Sequence, residues 1–269
     1  MSLTRMTLVR LNRLRSKLLL FVMLGTVMIA SPISILSKAS SPEIETNGAQ
    51  VINPPRWMTS YRVEAVIDRI QSFLEWDLRK VKVSWHDDPI LFQRLHGLGP
   101  SVLAYSLKSE NVIHIGPQVS TTNFDGVFGH ELVHIILYQK YKDAVPKWLE
   151  EGLANYAAKQ GKVDYVYLKR ALTDHAQFDI HQMVHPFSAT GAQQQADPTF
   201  HYQVSTALME MIASKCDVHS LLQLSVGKKL ETYLVNTCQI TDLNGSLKQW
   251  VNSKAPHGSL GLPSHPPGH

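Results

Sequence analysis

The segment 129–158, GHELVHIILYQKYKDAVPKWLEEGLANYAA, places His130 and His134 four residues apart with Glu131 between them. On a helix, positions i and i+4 share one face, so both imidazoles reach a single metal ion. Glu131 projects beside them, where a carboxylate can take a proton from a metal-activated water. An open catalytic site needs a third protein ligand and leaves a fourth position for the reaction. Two glutamates, Glu150 and Glu151, offer that ligand. Sixteen residues separate His134 from Glu151, enough to finish one helix, turn, and bring a second helix back across the ion. The chemistry predicted is hydrolysis by a metal-activated water, with Glu131 as general base. A purely structural metal site has no use for Glu131.

These residues need elements to hold them. Apolar Val63, Val66, Ile67, Ile70, Phe73 and Leu74 recur at helical spacing and predict a helix over 61–77. VKVSW (81–85) alternates as a strand does. SVLAYSL (101–107) and NVIHIG (111–116) predict two more strands, and Pro117 marks 111–116 as an edge strand. There Ile113 and Ile115 face the core, with Val112 and His114 on the other face. Thr122 or Asn123 caps the helix that carries His130, and Asp125 sits in its first turn. Pro146 opens the glutamate-bearing helix, which runs to about Lys159 with Gly161 as a stop. Residues 163–184 read as helix, 185–199 as a loop, 202–214 as helix, and shorter helices follow to about Asn252. The sum is an α+β domain: a small mixed sheet with an edge strand, an active-site helix, and a mostly helical C-terminal half.

Composition limits what else the chain does. Of its 26 basic and 22 acidic residues, six basic and no acidic ones lie in the first 39, so the remainder holds 20 against 22. The basic character belongs to the leader, and no basic stripe is left for nucleic acid. Arg5 to Lys17 is a basic flank, LLLFVMLGTVMIA (18–30) is apolar, and the run extends weakly to Leu36. Ser37-Lys38-Ala39 offers small residues at the positions a signal peptidase reads. Residues 1–39 are thus a signal peptide or an N-terminal anchor, with 18–36 able to span a bilayer, and the rest of the chain is exported. Residues 40–55 read as a polar linker, 56–254 as the domain, and the Pro/Gly-rich 255–269 as a disordered tail. Cys216 and Cys238 either pair in an oxidising compartment or remain two buried thiols.

HELVH…WLEEGLANY resembles the gluzincin branch of zinc metallopeptidases, and more narrowly the peptidase MA-like family, over roughly residues 60–252. The metzincin alternative fails, because Leu137 and Lys140 stand where that pattern has Gly and His. The resemblance implies a zincin-like fold, one Zn²⁺ per chain held by His130, His134 and Glu151, and a peptide or protein substrate. The glutamate before the glycine is the ligand in that pattern, which makes Glu150 a solvated acid. Asn155, one turn beyond Glu151, is then the acceptor that orients a ligand histidine. The resemblance also points to Tyr202 as the donor to the oxyanion, with His201 and Tyr156 as rivals. Two other readings share the fold: a non-catalytic module that zinc stabilises, and a membrane-attached assembly factor. The sequence leaves the substrate open.

Overall fold

Alternating side chains build the sheet. In the computed structural model, which describes residues 43–183, 198–224 and 229–255, Val81, Val83 and Trp85 of β3 (Val81–Trp85) are buried, while Lys82 between them is exposed. Ile113 and Ile115 of β5 (Val112–Ile115) are fully buried on the same face. Five strands run in the order β1-β2-β3-β5-β4. β2 (Ala49–Ile52), β3 and β5 are parallel; β1 (Glu43–Glu45) and β4 (Ala104–Leu107) lie antiparallel at the two edges. All described residues belong to one unit, Ser40–His269.

Two expectations are corrected here. The segment read as a linker, 40–55, contains β1 and β2. Ile44, Ala49 and Val51 supply apolar contact, and the chain reverses at Asn47-Gly48, where Thr46 N–H donates to Ala49 O at 2.9 Å. Gly48 is needed there, since a Cβ would stand 2.9 Å from Ile67. The edge strands are β1 and β4, not 111–116: β5 is paired on both sides, in register Ser84↔His114 and Tyr105↔His114. Pro117 comes after β5 has ended, so it removes no ladder bond.

Helix α1 (Ser60–Leu74) follows its predicted stripe, burying Val63, Val66, Ile67, Ile70 and Leu74. Thr59 caps it by accepting from Arg62 N–H. Helix α3 (Phe124–Tyr141) is buried around most of its circumference, with Phe128, Leu132, Val133 and Ile135 at 0% exposure. The sheet, α1 and α4 (Lys147–Ala158) enclose it. Asn123 precedes α3 but does not cap it; its Oδ1 accepts from Ser120 N–H at 2.7 Å and closes the preceding turn instead. A short helix, α2 (Pro89–His96), lies on the opposite sheet face. Its Phe92 packs on His86 and Tyr105, and a Cβ on Gly116 would meet that ring at 2.5 Å.

The C-terminal half is helical: α5 (Tyr165–Asp174), α6 (Pro198–Ala213), α7 (Val218–Leu224), α8 (Lys229–Asn236) and α9 (Leu243–Lys254). The helix expected over 163–184 is α5 followed by irregular chain and one 3-10 turn, Ile180–Gln182. Tyr165 gathers this half: its hydroxyl accepts from Trp250 Nε1 at 3.0 Å and donates to Glu210. Cys216 and Cys238 are joined as a disulfide, which ties the chain after α6 to the chain after α8. Among the described residues no helix is long and apolar enough to cross a membrane. The leader, most of the 185–199 loop and the tail after Ala255 lie outside the described residues.

Candidate metal centre

Helices α3 and α4 must be held against each other before any ligand set can form. Arg69 on α1 does this from one side. Its guanidinium donates to Asp125 O in the first turn of α3 (3.0 Å) and to Ala157 O in the last turn of α4 (2.7 Å). Arg62 adds an ion pair to Asp125 at 2.7 Å and a hydrogen bond to Thr121 O. On the other side α6 packs so closely on α4 that a Cβ at Gly152 would lie 2.6 Å from Ser205 O and 2.4 Å from Met209 Cγ. Only glycine permits this approach.

Three side chains converge between the helices. His130 Nε2 and His134 Nε2 are 3.1 Å apart, and Glu151 Oε2 is 3.6 Å from each. A tetrahedral zinc with ligands at about 2.0–2.1 Å has ligand–ligand edges of about 3.3 Å, so the triangle fits one such ion. All three residues are buried or nearly so, and Glu151 is 1% exposed. Among the described residues this is one group of histidine, cysteine and acidic side chains able to hold a metal ion. The three side chains line a cleft of about 1020 Å³. Glu131, Tyr202 and the strand β4 contribute to its walls.

The structure redistributes the supporting roles. Glu150 is not a solvated acid; it is buried at 6% exposure, and its Oε1 accepts from His134 Nδ1 at 2.8 Å. Asn155 does not orient a histidine: His134 Nδ1 is taken by Glu150, His130 Nδ1 has no hydrogen-bond partner among the described residues, and Asn155 Nδ2 donates to Thr206 Oγ1 at 2.8 Å on α6. Lys147 and Lys108 were not singled out by sequence reasoning. Lys147 Nζ is 2.9 Å from Glu150 Oε2 and 3.1 Å from Glu151 Oε1; Lys108 Nζ is 3.1 Å from Glu150 Oε1. The Lys147 contacts have a local signal, since K-x-x-E-E sets Lys147 three residues before Glu150 and four before Glu151, within reach of both. Lys108 has none, being 42 residues from Glu150.

Burial opposes charge on Glu150 and Glu151, yet both carboxyls are held well below the usual range. The His134 imidazole and the ammonium of Lys147 outweigh the lost hydration at both. Tyr202 shifts the other way. Burial first, and then the Glu151 and Glu131 carboxylates, push its phenol far above the ordinary value, so it stays a protonated donor. Of the three candidate donors, Tyr202 lines the cleft. Tyr156 is on the surface against Phe73, and His201 is buried against Phe178 and Phe200. His114 is half-buried beside His86, with Nδ1 2.9 Å from His86 Nε2.

The chain matches no model of a known protein family and no curated protein.

Proposed function

We propose that this chain is a zinc-dependent peptidase of the gluzincin type, similar to the peptidase MA-like family, holding one Zn²⁺ on His130, His134 and Glu151. The observation that carries this is the convergence of three potential ligand atoms, at 3.1, 3.6 and 3.6 Å, in the lining of an open cleft beside Glu131. Zinc at such a site supplies a Lewis acid that makes water a nucleophile near pH 7. Glu131 takes the proton from the attacking water and returns it to the leaving amine. The Tyr202 hydroxyl donates to the developing oxyanion of the scissile carbonyl. The edge strand β4 lines the same cleft, and an extended peptide can pair with it through main-chain hydrogen bonds. The Cys216–Cys238 disulfide agrees with an exported protein.

The test is digestion of a peptide library by the zinc-loaded full chain. Cleavage is expected to cease on chelation and return with added zinc. Glu131→Gln should retain zinc and lose at least ~10² in rate. Turnover that survives chelation, or that is unchanged in Glu131→Gln, refutes the proposal.

A further inference from the structure

We infer that Lys147 and Glu150 are the positioning pair of the metal centre: Lys147 confines Glu151 to ligation through one oxygen, and Glu150 fixes the imidazole of His134. The inference rests on the metallopeptidase reading above and assigns roles to two residues outside the ligand set.

The two oxygens of Glu151 face different partners. Oε2 points at both imidazoles, 3.6 Å from each Nε2, while Oε1 lies 3.1 Å from Lys147 Nζ. A carboxylate whose second oxygen is engaged by an ammonium offers the metal one oxygen. That distinction matters chemically. Two histidines and one oxygen make three ligands and leave the fourth position to the reaction; a second oxygen from Glu151 would crowd it.

The other end of Lys147 secures the histidine. Nζ lies 2.9 Å from Glu150 Oε2, and Glu150 Oε1 accepts from His134 Nδ1 at 2.8 Å. With its proton on Nδ1, His134 presents an unprotonated Nε2 toward His130 and Glu151, which is the tautomer a ligand needs. One ammonium therefore orients two ligands from different helices. His130 receives no such support: its Nδ1 is buried with no hydrogen-bond partner among the described residues.

The position of Lys147 supports a role in the site. It is the first residue of α4, where the helix dipole disfavours a positive charge. A charge set against the dipole, on a side chain that is largely buried, is the kind of local conflict found where function selects the residue. Lys108 extends the pair outward. It follows β4 directly, in the turn Lys108–Glu110, and its Nζ reaches the same Glu150 Oε1. The orienting carboxylate is thus tied to the strand that walls the cleft.

The experiment uses the full chain, wild type and variants, with zinc and cobalt as probes. Zinc dissociation constants come from chelator competition, and cobalt coordination from visible absorption, which weakens as coordination number rises. Glu150→Ala should weaken zinc binding toward 100-fold and Glu150→Gln, which keeps the acceptor, about 10-fold. Lys147→Met should lower the cobalt absorption, and Lys147→Arg should restore it. Circular dichroism of the metal-free proteins checks folding; if the Ala or Met variant does not fold, Glu150→Gln and Lys147→Gln decide in its place. Wild-type affinity and an unchanged cobalt spectrum in the folded variants overturn this inference alone. A wild-type chain that binds neither metal overturns the peptidase reading with it.

Discussion

Replacing Gly152 with alanine probes the seam between α4, which carries Glu151, and α6, which carries Tyr202. Helix propensity alone predicts stabilisation, since alanine is favoured over glycine by about 1 kcal/mol in a helix interior. The contacts predict the opposite. The added Cβ would lie 2.6 Å from Ser205 O and 2.4 Å from Met209 Cγ. Met209 can change rotamer, but a backbone oxygen cannot, so α4 and α6 must separate by several tenths of an ångström or more. Overpacking of this kind costs about 1–3 kcal/mol, which leaves a net loss of roughly 0–2 kcal/mol after the propensity gain. Glu151 and Tyr202 lie on the two helices that move, so zinc affinity and turnover should fall further than stability does. Gly126→Ala is the control: there a Cβ meets only Gln160 Cβ and Cγ at 3.7 and 3.8 Å, and stability should be unchanged or higher. Urea unfolding of both variants, with zinc titration, measures this. A Gly152→Ala protein more stable than wild type, with unaltered zinc affinity, would refute the argument.

Tyr202→Phe removes only the hydroxyl; turnover should drop by about 10²-fold with zinc affinity unchanged, and equal turnover in steady-state assays would exclude the donor role. The double change Cys216→Ser, Cys238→Ser should lower unfolding free energy by about 3 kcal/mol, given a separation of 22 residues; denaturant midpoints with and without reductant report it. The His114 imidazole is pushed down to about 4 in the folded chain, because burial, then the charges of His86 and Lys82, disfavour its protonated form. The unfolded state, with the ordinary value near 6.5, therefore binds more protons between these limits. The stability tied to His114 is complete above pH 6.5 and is lost as pH falls toward 4. His114→Gln should flatten that slope in urea midpoints measured across the window, and an unchanged slope would show that other groups govern it.

The juxtaposition of His130 and His134 was legible because helix geometry alone puts positions four apart on one face. The same holds for the α1 stripe and the alternation in β3 and β5, where the period is a property of the local chain. The choice between Glu150 and Glu151 was only half local. Adjacent helical residues point about 100° apart, so the sequence determined that the two carboxylates diverge, and a motif suggested which one turns inward. That Glu150 also turns inward, to His134 Nδ1, depended on α3 lying antiparallel beside α4. Asn155 was lost to Thr206 for the same kind of reason, since α6 supplies a partner 51 residues away. The hairpin at Asn47-Gly48 carried a readable turn signal, but its strands are short and gain their burial only against β3 and α1. Strand order lay beyond sequence reading altogether. Whether β4 or β5 borders the cleft depends on pairing across the sheet, where burial and hydrogen bonding from distant segments decide the neighbour and local pattern does not.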